Sequence, residues 1–362
     1  MMLHSRPRIM IALAASRRGG PYVNHQRIMD SRLGQRYDFV PLYIPRVRRL
    51  LSPVGMYRFV RYIRLNKPDI VHCPGLEMGG FLSVLASRLA GVKNILLAVH
   101  GSMNEAIWVP KWWSKRVANL LEILTLRMVT SYYGVSSYVV NWPNIRRYAP
   151  KCYGIIYDMP APPDLSCDSS ASIRSELGLS ESDTVVVSTG RITREKGYEV
   201  LCNAMIEMDR REGVRFVIVG DGEYLETMKE KIKQHHLEEC VPFLGHRSDI
   251  GRILSGSDIF VMCTLHETLC TSIIEAGQHG LPSVASDVGG IPEIITDGRN
   301  GILVPVGNSD AVVNALDELI DHKCLRKEMG GNARKVVEER FSIDNMLSRL
   351  DDIYSSMLTN DQ

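Results

Sequence analysis

Short apolar runs alternate with amphipathic stretches along almost the whole chain, which predicts strands separated by helices. In the first half the strand candidates are residues 8–15, 37–44, 69–73, 94–100 and 128–135. In the second half they are 184–189, 215–219, 241–244, 258–262, 282–285 and 302–304. Between them the spacing is helical: Leu201, Ala204, Met205 and Met208 fall at i, i+3, i+4 and i+7. The strands are apolar throughout, not alternating, as expected for parallel sheets covered on both faces. Met159-Pro160-Ala161-Pro162-Pro163, running into polar Ser166 to Ser172, marks the expected boundary. The fold class predicted is α/β twice over, without a low-complexity tract or a short-period repeat.

A chain of 362 residues, 45% of them hydrophobic, can build two domains, each with its own core. Its net charge of +2 conceals an asymmetry. Residues 1–165 hold 23 Lys+Arg against 8 Asp+Glu, a balance of +15, whereas 166–362 come to −13. A basic half calls for an anionic partner: a membrane surface, nucleic acid or a phosphorylated substrate. The eight cysteines form no CxxC pair and no metal-ligand spacing, and most sit in apolar runs, which suits a reducing cytosol. Arg6 and Arg8 before the apolar run Ile9 to Ala15 resemble a crude signal peptide, but Ser16-Arg17-Arg18 follows at once, so a buried first strand is expected. No run approaches the ~18 apolar residues of a spanning helix.

The chemistry concentrates between Gly190 and Pro305. Gly190 ends a buried strand, which places Arg191 at the carboxyl edge of a sheet, where open α/β folds bind ligands. Lys196 follows at a fixed step. An arginine fork and a lysine point charge suit a diphosphate, and both side chains are expected to face solvent. Alone, Arg-x4-Lys also reads as a solvated basic loop. Glu267 and Glu275 lie eight positions apart around a strand-to-helix turn, with Thr271 and Ser272 in the first helical turn, whose N–H groups favour an anion. Two cations for a diphosphate and two acids for hydroxyl groups describe a pocket for a nucleotide sugar.

These motifs resemble the retaining glycosyltransferases of the GT-B fold, family 4, also called group 1. The resemblance covers the second half specifically: Gly190-Arg191 with Lys196-Gly197, Val219-Gly220-Asp221-Gly222-Glu223, Phe243-Leu244-Gly245, Glu267-x7-Glu275, Gly289-Gly290-x-Pro292-Glu293 and Asn300-Gly301. In the first half it is thinner, resting on Gly19-Gly20, Val99-His100-Gly101 and Val135-Ser136. It implies two Rossmann-like parallel-sheet domains facing across a cleft: an acceptor domain over 1–160 and a nucleotide-sugar domain over 165–340. A last helix, 342–358, would return to the first domain. Arg191 and Lys196 would hold the donor diphosphate, Glu275 the ribose and Glu267 the transferred sugar. Main-chain groups from Gly245 to Arg247 would flank the base, with Asp249 reading its edge. His100 and the Gly19-Gly20 backbone would face sugar and phosphate. Relatives usually carry glycine at the positions of Thr268 and Cys270, so donor identity stays open. Their asparagine-glycine after the last N-terminal strand is replaced by Tyr153-Gly154-Ile155-Ile156-Tyr157-Asp158.

The implied reaction moves a hexosyl unit from a nucleoside diphosphate sugar to an acceptor hydroxyl of a lipid-linked or cell-envelope glycan, with retention. Without an Asp-x-Asp pair, the protein cations and the helix start near Thr271 supply the positive charge, so neither an essential metal nor a cofactor is expected. A sugar-nucleotide epimerase of the same fold and a non-catalytic partner subunit are the rival readings. The basic stretch Met56 to Leu65 puts Met56, Phe59, Val60 and Ile63 on one face and Arg58, Arg61 and Arg64 on another. With Arg46, Arg48, Arg49 and the run from Trp108 to Arg116, it reads either as a surface for anionic lipid on the cytoplasmic face or as a sheet-covering helix beside a sugar groove. A nucleic-acid partner is not expected, because the basic residues flank an apolar, tryptophan-rich surface.

Overall fold

The computed structural model describes residues 6–13, 20–102, 112–158, 160, 173–209 and 211–359, without the side chains of 112–114. Two compact units result: Met1–Met159 with Ile343–Gln362, and Pro160–Ser342.

The first unit is a six-stranded parallel sheet of β1 (Arg8–Leu13), β2 (Asp38–Tyr43), β3 (Ile70–Pro74), β4 (Asn94–Val99), β5 (Ser131–Gly134) and β6 (Cys152–Ile155). They lie in the order β2-β1-β3-β4-β5-β6. β3 and β4 are buried at every position, because helices take both faces of the sheet and leave no place for a polar alternate. The five expected strands are all present, and β6 is the addition. It is a four-residue edge strand, half-buried and interrupted by Gly154, too short and mixed to register as an apolar run. The final helix, Ile343–Thr359, packs on this sheet. Buried Tyr354 reaches His72 Nδ1 at 2.8 Å, and Arg349 donates to the Ile155 carbonyl at 2.8 Å.

The basic stretch forms the helix Pro53–Asn66, starting a turn earlier than expected because Ser52 caps it and Pro53 takes its first turn. Phe59, Val60 and Ile63 are buried, and Arg58 and Arg61 are exposed. Arg64 is exposed yet anchored, donating to the Leu89 carbonyl at 2.5 Å.

The second unit repeats the plan with β7 (Thr184–Thr189), β8 (Val214–Val219), β9 (Phe243–Gly245), β10 (Ile259–Met262), β11 (Ser283–Ser286) and β12 (Gly301–Val304). They run parallel in the order β12-β11-β10-β7-β8-β9. Val186, Leu201, Met205, Ile218 and Leu316 contribute to its core. Among the described residues all seven cysteines are free.

Candidate functional site

In the second sheet the chain runs outward from β7 through β8 to β9, then returns to lay β10 against the other side of β7. The loops after β7 and β10 therefore leave the carboxyl edge side by side, at the position where such sheets bind ligands. Gly190 ends the first loop's strand, Arg191 is exposed, and Ile192 N–H donates to the Asp221 carbonyl at 2.9 Å. Gly197 has φ +71°, and a Cβ there would stand 1.6 Å from the Cys263 carbonyl oxygen, so only glycine lets the loop lie this close to the end of β10. Leu265 N–H donates to the Glu195 carbonyl at 2.9 Å across the same seam.

This close approach delivers Lys196 to Glu267, with Nζ 2.5 Å from Oε2 and side chains only 20% and 12% exposed. Burial works against the lysine's charge, but the charge and hydrogen bond of Glu267 overcome it and hold the ammonium above its ordinary range. The other carboxylate oxygen, Oε1, accepts the Thr268 N–H at 3.2 Å, and the Glu267 carbonyl accepts the Gly290 N–H at 3.2 Å. Gly289, at φ +60°, passes beneath that carbonyl, where a Cβ would meet the oxygen at 1.7 Å. The expectation of two solvent-facing cations is thus corrected. Arg191 faces solvent, while Lys196 is enclosed because Glu267 offers it a partner inside the loop pair.

The helix Thr271–Gln278 begins directly after this loop with Cys270 as its cap residue. Burial, reinforced by the Glu267 charge, pushes the Cys270 thiol up to about 12, so it stays protonated. Thr271 and Ser272 are half-buried in the first turn, and Glu275 is half-buried one turn further in.

Gly245 closes β9 on the far side of β8, its carbonyl accepting the Gly220 N–H at 2.8 Å. Arg247 and Asp249 pair with each other at 2.8 and 2.7 Å. Arg247 also binds Glu176 at 2.8 Å, and Arg252 binds Glu176 at 2.7 Å and Asp249 at 3.0 Å. The two-pronged bond from Arg247 holds the Asp249 carboxyl well below the usual range. Both oxygens of Asp249 accept from guanidinium groups.

The first sheet reverses direction between β1 and β3. Gly20 starts the helix Gly20–Met29 after β1, and His100 follows β4 directly. Gly19 lies outside the described residues, as do residues 108–111 of the expected tryptophan run. His100 lines a 210 Å³ cavity with Pro21, Gly75, Glu77, Gly80 and Gly101. It is itself nearly buried, with Nε2 2.9 Å from Asp158 Oδ1. Asn24 Nδ2 donates to the same carboxylate oxygen at 2.8 Å. Sequence reasoning noted Asp158 only as the end of the stretch that replaces asparagine-glycine and gave it no role beside His100, although the scarcity of acids in this half was a signal. Asn24, Glu176 and Arg252 carried none. Two further imidazoles lie behind: His25, 4.6 Å from His72 and 5.8 Å from His100 between ring centres. Burial pushes His25 down to about 4 and His72 well below its ordinary range, so both are neutral.

Residues 169–336 match the family model of the glycosyl transferases group 1. Within its second unit this chain is similar to the group 1 glycosyl transferases. It is 28% identical over 335 residues to the UDP-Gal:α-D-GlcNAc-diphosphoundecaprenol α-1,3-galactosyltransferase of Escherichia coli, covering 90% of this chain and 85% of that one. It is 28% identical over 190 residues to the N-acetyl-α-D-glucosaminyl L-malate synthase of Bacillus anthracis, spanning 52% of this chain and 50% of the relative. The crystal structure of HepE from Anabaena in complex with UDP-glucose superposes with a TM-score of 0.82 at 19% identity, covering 96% of this chain and 99% of that one. Sucrose-phosphate synthase from Thermosynechococcus elongatus gives a TM-score of 0.82 at 17% identity over 98% of this chain and 100% of that one. The fold is GT-B, built from two Rossmann-like parallel-sheet units.

Proposed function

We propose that this chain is a group 1 glycosyl transferase that moves a hexosyl unit from a nucleoside diphosphate sugar to an acceptor hydroxyl, with retention of configuration and without a metal ion. The observation that carries the reading is the meeting of Arg191, Lys196 and Glu267 where the second sheet reverses direction. Arg191 offers a guanidinium to the diphosphate as it binds and leaves, and the first turn of Thr271–Gln278 adds backbone N–H groups. Glu267, anchored by Lys196 and Thr268, presents a fixed acceptor to sugar hydroxyls, and Glu275 is assigned to the ribose. Retention follows the resemblance, with the acceptor attacking the face the diphosphate leaves and the phosphate taking its proton. The galactosyltransferase relative makes UDP the first nucleotide to test and a lipid-linked or envelope glycan the first acceptor class.

Docking on the inner face of an anionic membrane is part of the same proposal. Leu51, Val54, Tyr57 and Leu65 are exposed among Arg58 and Arg61, the composition of a headgroup boundary. Among the described residues no helix is long and apolar enough to cross a membrane.

The deciding assay incubates the full chain with UDP-glucose, UDP-galactose, UDP-N-acetylglucosamine and GDP-mannose, with and without EDTA. Release of free nucleoside diphosphate is expected, insensitive to chelator and reduced tenfold to a hundredfold in Arg191→Ala. That range corresponds to the ~1.5–3 kcal/mol of a charge-assisted bond. An epimerised donor points to an epimerase, and no turnover of any donor points to a non-catalytic subunit. Rescue of chelated protein by magnesium or manganese would overturn metal independence.

A further inference from the structure

We propose that Asp158 is a positioning residue that holds His100 as an imidazolium at the carboxyl edge of the first sheet, making His100 a fixed cation toward its cavity and not a base. The role of the cavity as a substrate site rests on the function proposed above; the pairing itself does not.

The pair is built into the fold. His100 follows β4 and Asp158 follows β6, and both side chains are enclosed, at 7% and 13% exposure. Nε2 lies 2.9 Å from Oδ1, an ion-pair contact with the N–H off the axis of a straight hydrogen bond. Asn24, on the helix after β1, fixes the same oxygen from the other side at 2.8 Å, so the carboxylate cannot swing away without giving up a bond. An asparagine at 158 would offer an amide and no charge.

The groups facing the ring explain which imidazole is charged. His25 lies on the helix after β1 and His72 on β3, and each loses its proton to burial. Tyr133 on β5 and Tyr354 on the last helix hold His72 from either side. Burial also works against charge on His100, but the Asp158 carboxylate outweighs it, with Glu77 adding to the effect, and the affinity for the proton is raised. A neutral, proton-accepting His100 would leave Asp158 as an enclosed carboxylate facing no positive charge. One imidazolium compensated by one carboxylate is the arrangement that burial permits.

The test is a histidine NMR titration of the full chain in wild type, Asp158→Asn and Asn24→Ala, beside kcat against pH for whichever donor is turned over. Wild-type His100 is expected to be doubly protonated at pH 7 and to titrate above 6.5. In Asp158→Asn the midpoint should fall by at least one pH unit, a tenfold loss of proton affinity, with a smaller fall in Asn24→Ala. The alkaline limb of kcat should move down with it. A neutral His100 at pH 7 in wild type overturns the proposal, and that measurement needs no variant to fold. An unchanged midpoint in a folded Asp158→Asn overturns it as well. If the titration shifts as expected while no donor is turned over, the pairing stands and the transferase reading falls.

Discussion

Replacing Lys196 by alanine removes one partner of an enclosed ion pair and leaves Glu267, among the described residues, with the Thr268 N–H as its side-chain donor. Breaking a fully buried pair costs ~3–5 kcal/mol, because the remaining charge is stranded. The 20% and 12% exposure of the two side chains admits some water, so a loss of about 2–3 kcal/mol is expected. For a unit of this size that lowers the melting temperature by roughly 5–10 °C. Arg191→Ala, at an exposed position, should stay within ~0.5 kcal/mol of wild type. The assay is a double-mutant cycle of Lys196→Met, Glu267→Gln and both together, followed by thermal and urea unfolding. The double variant strands no charge, so it should recover part of the loss and show a coupling of about 1–3 kcal/mol. The pH matters for the measurement. A lysine whose folded pKa is raised contributes stability that is complete below its ordinary 10.5 and is lost only as pH climbs through the folded value. Melts between pH 7 and 9 therefore read the full effect. If Lys196→Ala melts within a degree of wild type, or the two substitutions are additive, the pair contributes nothing to the loop seam and the reasoning fails.

Acid should destabilise the first unit. His25 is ordinarily at 6.5 and lies at about 4 when folded, so its contribution is complete above 6.5 and disappears as pH falls toward 4. The loss amounts to about 3 kcal/mol at 1.36 kcal/mol per unit. Urea unfolding at pH 7, 5.5 and 4.5 should show this slope in wild type and a flatter one in His25→Gln; an equal slope in both would remove His25 as the cause. Binding to anionic vesicles at low salt should exceed binding to neutral ones, and Arg58→Glu with Arg61→Glu should weaken it by several kcal/mol at ~1 kcal/mol per cation. Equal, negligible sedimentation with both vesicle types would return the helix Pro53–Asn66 to a plain sheet-covering role.

The apolar runs made most of the fold legible, because a strand covered on both faces has no polar position to blur its signal. β6 escaped for the converse reason: an edge strand with Gly154 needs little apolar surface. At the site, Arg191, Lys196, Glu267 and Glu275 stood out by spacing against strand ends, which a chain reading can measure. The partner of Lys196 did not, since an ion pair across 71 positions depends on how closely two loops approach. Asp158 was hidden in the same way, facing His100 from a distant strand end, and the commitment of Asp249 to Arg247 and Arg252 is a matter of three-dimensional crowding.

The glycines beneath the Cys263 and Glu267 carbonyls have a consequence for redesign. At Gly197 and Gly289 backbone lies on backbone, so these two positions carry the shape of the site and have no room to carry specificity. Thr268, Thr271 and Ser272 lie between those fixed points with their side chains partly accessible. Under the function proposed above, a library aimed at a new donor sugar therefore belongs on these three residues, over a floor in which the glycines are kept constant.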